Sequence, residues 1–138
     1  MDARTRRATT TDVAIVSMNP ETLDGLQAYL SAAGVAARCM REIDDCARGG
    51  SDGTLAFVLF PDDFAWERVA IAVGELVAKR PRALPVLVTA HPKRYEKLLE
   101  AEKVLIVARP AWGWSILDAI RAHLDAGRSG TPDAEVVT

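Results

Sequence analysis

Short, nearly continuous runs of apolar residues alternate with longer amphipathic stretches along most of the chain. The apolar runs lie at Val13–Val16, Leu55–Phe60, Val86–Val88 and Val104–Val107, and a weaker run that contains a charge lies at Val35–Arg38. Continuous apolar runs of this length are typical of strands that are buried on both faces of a parallel sheet. The mixed run suits a strand at the edge of that sheet.

The stretches between these runs contain signals of helix starts, helix ends and apolar faces. Asn19 can cap the first helix, with Pro20 in its first turn and Gly34 after its end. Its leucines recur at helical spacing and predict one buried face. Four further helices are predicted, and they lie at about 43–48, after Asp62 or Asp63, at about 91–102 and from about 112.

Regular alternation of strand and helix predicts one α/β domain, with a five-stranded parallel sheet and helices on both of its faces. With the second strand at an edge, the strand order is the flavodoxin-like 2-1-3-4-5. The domain is expected to cover residues 12–126, between a disordered polar arm at 1–11 and a flexible tail at 127–138.

This strand order reverses between the first and third strands, so a ligand site is expected at the carboxyl ends of the strands. The residues that the pattern places at that edge are Ser17, Met18, Phe60, Pro61, Asp62, Thr89 and Arg109.

Composition argues against several functional classes. A net charge of −2, from 17 basic and 19 acidic residues, gives no general attraction to nucleic acid or to an anionic membrane. No apolar run approaches the ~20 residues of a membrane helix, and the first residues lack the apolar stretch of a secretory signal. We therefore expect a cytoplasmic protein. Cys39 and Cys46 are too few for a disulfide framework, and no Cys and His residues have the spacing of a zinc site.

Three segments together resemble the receiver domains of bacterial two-component response regulators. They read VAIVSMNPETLDGLQAYLSAAG, LPVLVTA and VLIVARPAWGWSILDAI, and the resemblance extends over roughly residues 12–126. The first segment is similar to the receiver's opening strand, acidic loop and first helix. Thr89 and Ala90 match the strand-four Thr or Ser that is followed by Ala. Arg109 and Pro110 lie where receivers have Lys and Pro joined by a cis bond.

The resemblance implies a phosphorylation chemistry with five parts. In receivers, two acidic residues after the first strand hold Mg²⁺, and an Asp at the end of the third strand takes the phosphoryl group. The strand-four hydroxyl and the strand-five Lys bind the phosphate oxygens. The metal and the Lys neutralise charge during the in-line transfer.

Most of these parts are replaced in this sequence. Ser17 and Met18 stand where the acidic pair would be, and neither suits a cation that prefers carboxylate oxygens. Phe60 stands at the acceptor position and cannot be phosphorylated. Thr89 is kept, and Arg109 replaces the Lys with a planar, bulkier cation. The resemblance therefore implies a pseudo-receiver that has a degenerate phosphorylation pocket, no metal site, no cofactor and no enzymatic activity.

Two alternatives remain. Asp62 and Asp63 lie just beyond the third strand, so a shift of one or two residues would make either one the acceptor of a divergent receiver. Helix capping is the interpretation we favour for both, because an Asp at a helix start accepts hydrogen bonds from free backbone N–H groups. The more distant alternative is an enzyme or cofactor-binding domain on the same fold. Ser17 with His91 is a conceivable catalytic pair, but the loop SMNPET lacks the glycine of a phosphate-cradling loop.

Receivers use the surface of their fourth helix, fifth strand and fifth helix to bind partners and to form dimers. On the matching segments this chain has Tyr95, Trp112 and Trp114, with Arg121 as a rim charge, and Tyr and Trp are over-represented at interaction hot spots. Ile106 replaces the aromatic residue of the receiver switch, so this surface is expected to keep one arrangement. The sequence therefore predicts a protein-interaction module. It would bind a protein partner, or a second copy of the chain as a homodimer, without a phosphorylation signal.

Overall fold

The computed structural model describes residues 12–44, 46–49, 54–97, 104–109 and 111–129 of the chain. Within these ranges one sheet of five parallel strands has the order β2-β1-β3-β4-β5. The predicted α/β, flavodoxin-like architecture is therefore confirmed. In chain order the strands are β1 (Asp12–Val16), β2 (Ala36–Met40), β3 (Thr54–Leu59), β4 (Leu84–Thr89) and β5 (Leu105–Ala108).

Helices lie on both faces of this sheet, and successive strand residues point to opposite faces. Val13 and Ile15 of β1 belong to a buried cluster with the first and last helices, whereas Ala14 and Val16 belong to a second cluster with the helices between them. The helices are α1 (Pro20–Ala32), α2 (Cys46–Gly49), α3 (Trp66–Lys79) and α4 (Gly113–Ser129), with 3-10 turns at Pro61–Asp63 and Pro92–Tyr95. No helix in the described part of the chain is long and apolar enough to cross a membrane.

Helix α1 begins and ends as its sequence predicts. The Asn19 side chain accepts hydrogen bonds from the backbone N–H groups of Glu21 and Thr22, at 2.9 and 3.3 Å. Gly34 ends the helix with a φ of +83°, a conformation that glycine adopts without steric cost. The buried face of the helix consists of Leu23, Leu26 and Leu30.

The start of α3 differs from the prediction. The helix begins at Trp66, and its N-cap residue Ala65 has no side-chain cap. Asp62 and Asp63 instead form a separate 3-10 turn, followed by Phe64 in an extended conformation. The extended residue separates the turn from the helix, so neither carboxylate reaches the free N–H groups of α3. The helix-capping interpretation of Asp62 and Asp63 is therefore wrong.

Two other segments depart from their predicted bounds. The helix predicted at about 91–102 is seen as the 3-10 turn Pro92–Tyr95 with helical backbone at 96–97, and residues 98–103 lie outside the described residues. Helix α4 continues to Ser129, so residues 127–129, which the sequence assigned to a tail, are helical. The polar arm at 1–11 and the rest of the tail lie outside the described residues.

Helices α1 and α4 touch where the ring of Tyr29 packs on Gly113. A Cβ atom built on Gly113 would lie 2.9 Å from Cγ and from Cδ2 of Tyr29, and 3.3 Å from its Cβ. These atoms are close to the backbone of α1, so they cannot move aside without a shift of the ring or of the helix. The start of α4 therefore requires a residue without a side chain at position 113.

We expect Gly113→Ala to lower the free energy of unfolding by about 1–2 kcal/mol, because the added methyl group overpacks the contact with Tyr29. Gly74→Ala in α3 is the matched control, since a Cβ at Gly74 would meet no atom within 4 Å. That substitution should stabilise the protein by about 0.5–1 kcal/mol. Urea denaturation of both variants tests the difference. Equal stabilisation by the two substitutions would contradict the described contact.

Candidate functional site

The residues expected at the carboxyl edge of the sheet lie there. Ser17 and Phe60 directly follow β1 and β3, Thr89 ends β4, and Arg109 follows β5. Backbone hydrogen bonds continue between neighbouring strands at this edge: Phe60 N donates to Val16 O at 3.0 Å, and Arg109 N donates to Thr89 O at 2.9 Å. The strand ends are thus held side by side, and their side chains face one shared region. Pro110, and with it the expected cis bond, lies outside the described residues.

Asp62 binds the end of β4. Its Oδ1 accepts a hydrogen bond from the Thr89 hydroxyl at 2.6 Å, and its Oδ2 accepts one from the backbone N–H of Ala90 at 2.9 Å. The Thr89 hydroxyl also accepts from the backbone N–H of His91 at 2.9 Å. Because Thr89 is fully buried, these partners satisfy a hydroxyl that water does not reach.

Asp63 binds the end of β1, on the other side of the same turn. Its Oδ2 accepts from the Ser17 hydroxyl at 2.6 Å and from the backbone N–H of Met18 at 3.0 Å. The Ser17 hydroxyl accepts in turn from the backbone N–H of Asn19 at 3.0 Å. The conceivable pair of Ser17 with His91 is therefore not formed, since the serine hydroxyl donates to Asp63. The two adjacent carboxylates connect the turn after β3 to both neighbouring strands.

Arg109 lies beside Asp62 and over Phe60. Its Nη1 is 3.6 Å from Asp62 Oδ2, which is an ion pair too long to count as a hydrogen bond. The guanidinium carbon is 5.9 Å from the centre of the Phe60 ring, within the range of a cation–π contact. Phe60 itself is buried in the core. Phe60 is thus an apolar support beneath the Arg109 cation.

The surroundings of Asp62 favour its charged form. Burial by itself would raise the pKa of this carboxyl. The hydrogen bonds from Ala90 and Thr89, together with the electrostatic influence of His91 and Arg109, outweigh burial and lower the pKa below its ordinary value of 3.8. Asp62 is therefore a carboxylate at neutral pH, with both oxygens engaged.

Ser17 and Met18 do not offer the carboxylate oxygens that Mg²⁺ prefers. Ser17 presents a hydroxyl that already donates to Asp63, and Met18 presents a thioether on a side chain that is half exposed. A hard divalent cation prefers several carboxylate or carbonyl oxygens. The described residues contain no group of three or more His, Cys, Asp or Glu side chains that could hold a metal ion.

The residues predicted for partner binding are in two different environments. Trp112 and Trp114 are 65% and 56% exposed, and Arg121 is exposed on α4. Tyr95 is only 1% exposed and packs against the Trp66 ring with 5.1 Å between ring centres. The expectation of an exposed Tyr95 anchor is therefore corrected. Its neighbours in the 3-10 turn and just after it are charged and exposed, and the one large ring of the segment turns inward.

A cleft of about 600 Å³ between α1 and α4 is a feature that the sequence did not reveal. Arg109 lies in its lining together with residues from both helices. The contacts of Asp62 and Asp63 were also missed, although their position directly after a buried parallel strand placed them at the correct edge. That position was a stronger signal than the local preference of Asp for helix starts.

No protein-family model and no curated protein matches the sequence. Solved structures do match. A response regulator receiver domain protein (CheY-like) from Methanospirillum hungatei has 15% identity and a TM-score of 0.73, covering 85% of this chain and 95% of that one. The signal receiver domain of an HD domain-containing protein from Pseudomonas fluorescens has 15% identity and a TM-score of 0.72, covering 87% and 98%.

A structure named as an adenylate cyclase from Rhodopirellula baltica also matches, with 14% identity, a TM-score of 0.69 and coverage of 93% and 97%. At such low identities the likeness concerns the fold. The chain has the fold of response-regulator receiver domains.

We expect the contribution of Asp62 to stability to depend on pH. Because its pKa is lowered in the folded state, the contribution is fully present above the unfolded-state pKa of about 3.9 and is lost as the pH falls through the lower folded-state value. In urea unfolding, the stability difference between the parent and Asp62→Asn should be constant from about pH 7 to about pH 5 and then shrink. Asp63→Asn keeps the contacts of Asp62 with Thr89 and Ala90, so it serves as the control for the loss of one carboxylate from this turn. A stability difference between the parent and Asp62→Asn that does not change with pH would contradict the lowered pKa of Asp62.

Proposed function

We propose that this chain is a pseudo-receiver, a module without enzymatic activity that binds a protein partner in a signalling pathway and is not switched by phosphorylation. The observation that supports this most strongly is the position of the Asp62 carboxylate. It accepts from the Thr89 hydroxyl and the Ala90 N–H and lies beside Arg109. By the resemblance to receivers, the strand-four hydroxyl and the strand-five cation are groups that bind the oxygens of an aspartyl phosphate.

A carboxylate of the chain itself thus takes the place of the phosphoryl group. It is part of the polypeptide, so it requires no phosphodonor and is never hydrolysed away. It is also charged at neutral pH, since its hydrogen bonds and neighbouring cations lower its pKa. A switch needs a signal that favours one state over the other. Here the favouring interaction is permanent, and the partner meets a surface that is always competent to bind.

The chemistry at the acceptor position supports the same conclusion. Phe60 has no nucleophilic atom, and it is buried beneath Arg109. Phosphoryl transfer also depends on cations that neutralise the charge on the transferred group. Ser17 and Met18 lack the carboxylates that would hold such a metal ion.

A divergent receiver phosphorylated on Asp62 is the second candidate function. The observation that favours it is the proximity of Thr89 and Arg109 to this carboxylate. Asp63 is a weaker acceptor candidate, because its Oδ2 is held by Ser17 and Met18 on the side away from Thr89.

We expect that incubation with acetyl phosphate and Mg²⁺ leaves the intact mass of the protein unchanged, because Phe60 cannot accept a phosphoryl group and the metal ligands are missing. Mass spectrometry of the parent, Asp62→Asn and Asp63→Asn, beside an ordinary receiver domain as positive control, makes the measurement. A phosphoryl adduct that appears on the parent and on Asp63→Asn but not on Asp62→Asn would establish the divergent receiver.

The partner surface that we propose is centred on Trp112 and Trp114 at the start of α4. The Ser115 hydroxyl accepts from the backbone N–H of Trp112 at 3.0 Å and donates to its carbonyl oxygen at 2.8 Å. These bonds fix the backbone at Trp112 before any partner arrives. Arg121 follows Trp114 by about two helical turns, which places both on one side of α4. An exposed aromatic anchor that is already ordered loses little conformational entropy on binding.

We expect Trp112→Ala and Trp114→Ala to weaken partner binding or self-association by about 2–4 kcal/mol at a hot spot, with stability changed by no more than about 0.5 kcal/mol. Ile71→Ala is the matched control, because Ile71 is 63% exposed on α3, and it should leave binding intact. Sedimentation velocity measures self-association, and affinity capture measures heterologous binding, with thermal melts for each variant. Folded tryptophan variants that bind like the parent would place the interface elsewhere.

A further inference from the structure

The cleft between α1 and α4 has the size and chemical character of a small-molecule site. Its volume is about 600 Å³, and small-molecule sites are mostly apolar cavities of about 300–1,000 Å³ with a few polar groups. Four apolar lining residues are buried, and they are Leu26, Phe60, Val88 and Ile116. The polar part of the lining is small and contains Glu21, Thr22 and Arg109.

The cleft is open on the α1 side because Gly25 lines it there. Gly25 in α1 has no positive φ, and a Cβ built on it would meet no atom within 4 Å. Neither backbone conformation nor packing therefore requires glycine there, although glycine is unfavourable inside a helix. At another point of the lining, the Tyr29 ring packs directly on Gly113 and joins the two helices. A larger side chain at position 25 would occupy space that is now accessible.

The charges of the cleft select among ligands. Of the described residues that line it, Arg109 is positive and Glu21 is negative. The Nη1 of Arg109 makes only the loose 3.6 Å contact with Asp62. A guanidinium group has five N–H donors, and two of them can bind one carboxylate of a ligand. A doubly charged phosphate ester would add its charge beside Asp62 and Glu21, so a single negative charge fits better. The Tyr29 ring lines the cleft and is 38% exposed, and it favours a flat aromatic body.

We propose that this cleft binds a small aromatic monocarboxylate, with its carboxylate on Arg109 and its ring against the apolar lining between α1 and α4. The site goes beyond the pseudo-receiver function proposed above. It shares Arg109 with the surroundings of Asp62 but leaves the hydrogen bonds of Asp62 to Thr89 and Ala90 in place.

Titration of the full chain with 2-naphthoate, followed by amide NMR, tests the proposal. We expect saturable shifts at Gly25, Tyr29, Gly113 and Ile116, and an affinity about tenfold weaker for naphthalene-2-carboxamide, which lacks the charge for Arg109. Gly25→Leu should fill the cleft and weaken naphthoate binding by at least about tenfold. Gly74→Leu adds the same side chain at an equally open glycine in α3 that does not line the cleft. It should bind as the parent does.

Arg109→Gln provides a second variant that does not depend on the folding of Gly25→Leu. It should reduce the affinity for naphthoate to that for the carboxamide. The proposal is overturned if naphthoate gives no saturable shifts in the millimolar range, or if the shifts centre on Trp112 and Trp114 and persist in Gly25→Leu. Equal affinity for naphthoate and the carboxamide would overturn the assignment of a carboxylate ligand. None of these results bears on the phosphodonor experiment, so the two proposals can fail separately.

Discussion

Two buried hydroxyl groups, those of Ser17 and Thr89, determine how the carboxyl edge of this sheet is built. Both residues are fully buried, and a buried polar group without a hydrogen-bond partner costs about 1–3 kcal/mol. Asp63 and Asp62 supply those partners at 2.6 Å each, with ionised acceptors that make strong bonds. The turn after β3 is therefore attached to β1 on one side and to β4 on the other. Loss of either carboxylate would leave a hydroxyl in the interior with one partner fewer.

The same attachment limits what the edge can do chemically. The Ser17 and Thr89 hydroxyls and the Asp62 and Asp63 carboxylates already have partners within the chain. Arg109 is the group that is held least tightly, with a 3.6 Å contact to Asp62 and its guanidinium over the Phe60 ring. It is also the polar group that the edge shares with the cleft between α1 and α4. Recognition of a ligand or partner near this edge can therefore involve Arg109 without breaking the bonds of Asp62.

The fold was predictable because its strands are buried on both faces, which gives continuous apolar runs, and because α1 has local start and stop signals such as Asn19 and Gly34. The roles of Asp62 and Asp63 were not predictable. The preference of Asp for helix starts is a local signal, and no sequence signature reveals that Phe64 is extended and separates these residues from α3. Tyr95 was misplaced for a similar reason, because a 3-10 turn orients its side chain differently from a helix. The cleft lies between two helices that are about 90 residues apart in the chain. No local sequence pattern encodes how far apart these helices pack in the fold.

The contact between Tyr29 and Gly113 has a consequence for how this chain can vary by descent. A ring at position 29 and a missing side chain at position 113 fill one another's space, so a larger residue at position 113 requires a smaller one at position 29. Related sequences should therefore exchange the two positions together. Since both residues also line the cleft, each paired exchange would reshape the cavity while leaving the sheet untouched.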